Sequence, residues 1–218
     1  MRDDTVKPSR RLARPMRRSD LVRCLERIAP PTNPRSELEQ VVSPAEAAAE
    51  LLFSALAADD LAGRSILDLG SGTGRLAIGA ALLGAGPVAG VEVDPASVAT
   101  ARVAAASLGV GVEFVAEDVS RWTRSADVVL MNPPFGAQRA HADRPFWDAA
   151  FRLAGRAVYA FALADSRTFI ARRAVAADAH VLATRPVAWE LPRTFPHHTR
   201  RKVALAVDLW AIRTERTP

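Results

Sequence analysis

The chain has 218 residues, 49% of them hydrophobic, which is enough for one sizeable domain with a full core and a short arm. A single cysteine, Cys24, excludes a disulfide framework and any cysteine-built zinc site within the chain. The formal charge is +5 and residues 1–18 hold all of it: seven basic residues there face two acidic ones, while the other 22 basic and 22 acidic residues cancel.

Such a stretch suits a tail that meets a polyanion, so residues 1–18 are read as a basic, disordered arm and residues 19–218 as one domain. No apolar run reaches the length of a membrane span and no signal-peptide core opens the chain, which predicts a soluble, cytoplasmic protein without membrane contact. Ser19 to Ile28 reads as an amphipathic helix capped by Ser19 or Asp20, with Leu21, Cys24, Leu25 and Ile28 on one stripe. Pro30, Pro31 and Pro34 force a connector. The next helix, Pro44 to Ala58, opens with a capping box of Ser43 and Glu46.

The chain then alternates. Strands are predicted over 65–69, 88–93, 112–116, 127–131 and 157–163, and helices over 73–83, 95–108, 144–155 and 166–177. Two longer strands, 179–190 and 202–212, close the chain as an antiparallel pair. Alternation of this kind means an α/β fold with a mostly parallel sheet and helices on both faces.

The first strand runs into Asp68-Leu69-Gly70-Ser71-Gly72-Thr73-Gly74. Glycines there let the backbone approach a ligand and turn tightly into a helix. Glu92 ends the second strand, where a carboxylate grips ribose hydroxyls, and Asp118 follows the third, suited to an adenine amino group. Dinucleotide dehydrogenases share this layout with S-adenosylmethionine methyltransferases. Two features favour the latter: Leu76 and Ala77 stand where a third glycine would open the helix, and Asp68 precedes the first glycine, where it suits a ligand amino group.

The fourth strand ends in Asn132-Pro133-Pro134-Phe135. By itself the tetrapeptide also fits a plain strand-ending turn. At the carboxyl end of a buried parallel strand, each residue suits one task in holding a planar exocyclic amine. The Asn132 oxygen and the Pro133 carbonyl accept its two hydrogens, Pro134 is rigid and brings no competing N–H, and Phe135 offers a stacking face.

In its ordered motifs the sequence resembles the methyltransferase-like five family of archaeal and eukaryotic adenine-N6 ribosomal RNA methylases. The likeness spans residues 16–212 and includes Leu38-Glu39-Gln40, the stretch from Asp68 to Gly86, Val91 to Pro95, Glu117 to Val119 and Met131 to Gly136. It implies a Rossmann-like class I methyltransferase with a seven-stranded sheet and an antiparallel carboxyl-terminal strand. The cofactor would be S-adenosylmethionine, leaving as S-adenosylhomocysteine. Carried over by position, cofactor contacts fall on Gln40, Ser43, Gly70, Thr73, Arg75, Glu92, Asp118 and Val119, beside Asp68 and Gly72 of the glycine turn. The base-holding motif falls on Asn132, Pro133, Pro134 and Phe135. Ser43 stands where threonine is usual, and Glu92 where aspartate is.

The resemblance further implies N6-methylation of one adenine of small-subunit ribosomal RNA and a small zinc-binding activator protein as partner. Residue by residue, Arg193, Phe195, Arg200, Arg201 and Lys202 form a basic run with an interleaved aromatic, suited to RNA. The short strand 112–116, expected at the sheet edge, could accept a partner's strand. His197 and His198 lack a third ligand, so no metal is expected. Residues 137–143 are read as a lid over the base, and Phe146 and Trp147 as helix core. Two other classes stay open: a methylase of DNA adenine or protein glutamine, whose NPP motifs hold similar amines, and a non-catalytic cofactor-binding ribosome-assembly factor.

Overall fold

The computed structural model describes residues 15–136, 141–189 and 205–214. The amino-terminal part comprises α1 (Arg18–Glu26), a short 3-10 turn (Ser36–Leu38) and α2 (Ala45–Ala57). The alternating part follows as β1 (Ile66–Leu69), α3 (Arg75–Leu82), β2 (Val88–Glu92), α4 (Pro95–Ser107), β3 (Glu113–Ala116) and β4 (Ala126–Met131). It continues through α5 (Arg144–Leu153), β5 (Ala154–Leu163), α6 (Arg167–Ala176), β6 (Ala179–Val187) and β7 (Val207–Thr214). The predicted elements are all present, with ends shifted by a few residues. Helix α1 starts inside the segment read as arm, and Met16 packs against the core.

The seven strands form one sheet in the order β3-β2-β1-β4-β5-β7-β6. Strands β1 to β5 run parallel, and β7 lies antiparallel between β5 and β6. The mostly parallel sheet with an antiparallel carboxyl-terminal strand is thus as expected. From β1 the chain moves outward to β2 and β3, then returns to β4 on the other side. That reversal opens a crevice at the carboxyl ends of β1 and β4, where open α/β sheets bind their ligands.

The middle of the sheet is covered on both faces, so β1 is buried along its whole length and β4 along its last four residues, whereas the edge strand β6 is exposed over 180–186. One face is covered by the alanine-containing helices α2 to α4, with α1 packed on α2 and α3. A Cβ at Gly79 of α3 would stand 2.4 Å from a Leu52 methyl of α2, so a side chain there would force the Leu52 side chain to shift. The other face is covered by α5 and α6, with Trp147 fully buried as expected. No helix joins β3 to β4; Trp122, 5% exposed, fills that space, with the Arg124 guanidinium 4.3 Å above its ring.

Two caps differ from expectation. Helix α1 is preceded by Arg17 with no side-chain cap, because Asp20 pairs with Arg23 one turn on. Helix α2 is preceded by Pro44, and Ser43 does not cap it: Ser43 is buried, and its carbonyl accepts from Arg75. The capping box read at Ser43 and Glu46 is absent because the tie to α3 fixes Ser43 one residue too early.

Candidate functional site

The crevice between β1 and β4 holds a cavity of about 480 Å³. All ten candidate cofactor residues line it, from Gln40 and Ser43 on the strap before α2, through Asp68 to Arg75, to Glu92, Asp118 and Val119. Asn132 and Pro134 complete the wall on the β4 side.

The glycine turn is shaped by its neighbours. Gly70 has φ +68° and Gly74, just before α3, has φ +88°, a region that suits glycine. At Gly70 an added Cβ would lie 2.7 Å from the Phe146 ring, and at Gly74 2.6 Å from the Phe114 ring. Around Gly72 an added Cβ would meet nothing within 4 Å, so this residue faces open space. The turn is pinned to β2 by Gly70 and Ser71 N–H groups donating to the Val91 carbonyl at 2.8 and 3.0 Å.

The acids are held unequally. The Glu92 carboxylate accepts from the Gly72 N–H and the Asp94 N–H, both at 2.9 Å. Burial still raises its pKa above the usual carboxylate range, and those N–H groups only partly offset the rise. Asp118 is held below that range by the Ser120 N–H and hydroxyl, so an ionised acceptor stands at the rim. Asp68 is 1% exposed; one oxygen accepts from the Ala77 N–H at 3.0 Å and the other has no partner among the described residues. Burial pushes it up to about 7, with the nearby Glu92 charge adding to the rise.

Arg75 donates to the carbonyls of Ser43 and Ile28, while its Nε is buried without a partner among the described residues. Its burial favours loss of charge and lowers its pKa. Three more polar atoms on residues of the same wall have no partner among the described residues: Asp68 Oδ1, Ser71 Oγ and Asn132 Oδ1. Buried polar groups without partners are rare, and such a cluster in one cavity fits a ligand carrying an amino group and hydroxyls.

At the end of β4, Asn132 Nδ2 donates to the Val41 carbonyl at 3.0 Å. Its oxygen is therefore the end left without a partner among the described residues. Pro133 is buried and Phe135 half-buried, and neither lies on the cavity wall. The Phe135 ring meets Trp189 in an edge-type contact at 5.6 Å and 62°, and Trp189 in turn meets Phe161 at 5.0 Å. A phenyl ring that does line the cavity is Phe146, which packs against the core as expected and, from the first turn of α5, also stands across from Gly70. The signal for it lay in Gly70, which leaves room for a ring.

The sequence reading also missed Val41, and Asp94, which caps α4 through the Ala96 and Ser97 N–H groups and accepts from Gln40 Nε2 at 3.0 Å. A Pro after an Asp at the foot of a helix was the signal for Asp94. The basic run Arg193, Phe195, Arg200, Arg201 and Lys202 lies outside the described residues, as does most of the segment read as a lid; of the latter, His141 and Ala142 line the cavity. Among the described residues no group of His, Cys, Asp and Glu could hold a metal, and no helix is long and apolar enough to cross a membrane.

Residues 43–158 match the methyltransferase small domain family. The rRNA N(6)-adenosine-methyltransferase Mettl5 of Drosophila melanogaster is 33% identical over 185 residues, covering 81% of this chain and 87% of the fly protein. A crystal structure from Pyrococcus horikoshii, described as that of a candidate RNA methyltransferase, superposes with a TM-score of 0.84 at 35% identity, covering 91% of this chain and 98% of that one. The magnesium protoporphyrin IX methyltransferase of Synechocystis, solved with bound S-adenosylmethionine, shares the fold at a TM-score of 0.63 and 15% identity, covering 78% of each chain. By sequence and by fold, the chain belongs to the Mettl5 family of class I, S-adenosylmethionine-dependent methyltransferases.

Proposed function

We propose that this protein methylates N6 of an adenine in ribosomal RNA, most specifically in the small subunit. The observation that carries the reading is the Asn132 amide, tied by its nitrogen to Val41, with an oxygen that has no partner among the described residues, in the cavity that the glycine turn also lines. An acceptor-only end facing a cavity suits a planar amine, which brings two donor hydrogens and no acceptor.

S-adenosylmethionine supplies a methyl group already activated on a sulfonium. Asp68 and Ser71 would hold its amino-acid end, Glu92 its ribose hydroxyls, and Asp118 with Val119 its adenine. The amino group matches Asp68 in sign: a positive charge beside a carboxyl raised to about 7 draws it back to the ionised form.

The acceptor nitrogen poses a separate problem. An adenine N6 lone pair is delocalised into the ring and attacks poorly. A hydrogen bond from one of its hydrogens to the Asn132 oxygen, the acceptor of this motif that lines the cavity, favours a pyramidal nitrogen and spreads the positive charge that grows during transfer. No general base is required, since the nitrogen becomes acidic once alkylated. The remaining contribution is alignment of N6 with the methyl group.

A zinc-binding activator would dock on β3, the sheet edge. The Glu117 N–H bonds to β2, so by alternation Phe114 turns its N–H and carbonyl outward. That carbonyl already accepts from Arg102 of α4 at 2.6 Å. A partner strand would therefore have to displace the Arg102 guanidinium.

Mapping N6-methyladenine in ribosomal RNA from cells with and without the gene tests the assignment. Loss of one modified position in the small-subunit RNA is expected. An unchanged methylation map would overturn it.

A further inference from the structure

We propose that the main-chain carbonyl of Val41 is a positioning group for methyl transfer: it fixes the Asn132 amide so that its oxygen, and not its NH2, meets the incoming base. This rests on the reading of Asn132 as the group that grips the acceptor amine. A primary amide is nearly symmetric in shape and opposite in chemistry at its two ends. Rotated by half a turn, Asn132 would present donors to an amine that itself brings donors, and the grip would fail.

The neighbour decides the orientation. A carbonyl oxygen only accepts, so the end of Asn132 that lies 3.0 Å from the Val41 carbonyl must be Nδ2. The opposite rotamer would set two acceptor oxygens against each other and leave both unbonded, disfavouring it by about tenfold or more. Oδ1 is correspondingly the buried, unpartnered atom.

Val41 is itself fixed from both sides. Its N–H donates to the Glu39 carbonyl at 2.6 Å across a tight turn in which Glu39 has φ +47°. On one side Gln40 Nε2 donates to Asp94 Oδ2 at 3.0 Å, and Gln40 Oε1 accepts from the Arg35 N–H at 2.8 Å. On the other side the Ser43 carbonyl accepts from Arg75 of α3. The strap is thus anchored to the foot of α4 and to α3, while Asn132 comes from β4. Gln40, Val41 and Ser43 also line the cavity, so one strap serves the cofactor side and the acceptor side together.

Two measurements test the anchor. Asn33 and Asn132 are the two asparagines of the chain, so asparagine labelled with nitrogen-15 and valine labelled at the carbonyl with carbon-13 give a sparse NMR spectrum. A through-hydrogen-bond correlation from the Asn132 side-chain nitrogen to the Val41 carbonyl, with one amide hydrogen exchanging more slowly than those of Asn33, is expected in the free protein. Two freely exchanging hydrogens and no correlation would overturn the anchor, whatever the enzyme methylates.

The second is Asn132→Asp, which keeps an acceptor for the base but loses the donor to Val41 when ionised. At about pH 8 its methyl transfer should fall by about tenfold or more in kcat, and should rise as pH is lowered, because the protonated acid donates to Val41 again. Wild-type kcat at pH 8, or a pH profile parallel to wild type, would overturn the proposal, and if the variant is inactive at every pH the NMR result decides. A wild-type protein that forms no N6-methyladenine would instead remove the functional reading and leave the Val41 contact to stand or fall on the NMR result.

Discussion

Two buried aspartates, one at each end of the sheet, show what separates a group that holds the fold from one that awaits a ligand. Asp60, just before β1, is 0% exposed. It accepts from Arg156 and Tyr159 of β5 and from both terminal nitrogens of Arg213 of β7, at 2.9 and 3.0 Å for the last pair. Burial pushes its pKa up, but the hydrogen bonds from Arg213, Arg156 and Tyr159 outweigh that and leave it below the usual range. Asp68, at the opposite end of β1, is equally buried and has one N–H and an orphaned oxygen, so burial wins and its pKa rises to about 7. The difference lies in the partners supplied by the chain. Where they are complete the carboxylate stabilises the fold, and where they are missing they mark the side that a ligand must fill.

The largest expected effect breaks that contrast through pH. Folded Asp68 keeps its proton between the ordinary carboxylate pKa and about 7, where the unfolded chain has lost it. The folded state then binds more protons, so this group's contribution to stability falls as pH rises from about 4 to 7 and is constant beyond, by at most about 4 kcal/mol. Denaturant titrations of the free protein should show wild type losing stability over that range relative to Asp68→Asn. Parallel curves would mean that Asp68 is ionised throughout.

Next in size, Asp60→Ala leaves two arginines without their shared anion and should cost about 3 kcal/mol, lowering Tm by about 10 °C, while transfer per folded molecule is retained. Thermal unfolding and an activity assay below the transition check both halves. Asp68→Asn should do the reverse, weakening S-adenosylmethionine by about tenfold without destabilising the free protein. Calorimetry in buffers of different ionisation enthalpy sharpens this, since binding below about pH 7 should release a proton from wild type but not from the variant. The smallest effect belongs to Arg102→Ala, about 1 kcal/mol or less of stability, with β3 becoming more available to a partner strand. If the proposed strand-donating partner binds at β3, unchanged affinity for it would show that Arg102 does not guard the edge.

The fold was legible because its elements carried local signals: short apolar runs for β1 and β4, Pro95 for α4, and the glycine turn between β1 and α3. The cofactor wall was legible for a related reason, since a glycine turn and strand-end acids are side-chain features at fixed places in the chain. Val41 was not, because it acts through a main-chain carbonyl that every residue possesses. Phe146 was legible as core but not as cavity wall, because only the space left at Gly70 marks its second side. Phe135 was aromatic as the base would want, but its ring meets Trp189, far along the chain. The caps of α1 and α2 failed where Asp20 and Ser43 were drawn to Arg23 and Arg75 instead.

Replacing Asn132 with alanine probes the acceptor grip most directly. Calorimetry should find S-adenosylmethionine affinity within about twofold of wild type, while tritium-methyl transfer to ribosomal RNA falls by at least about a hundredfold. Transfer at the wild-type rate would contradict the claim that this amide oxygen holds the acceptor nitrogen.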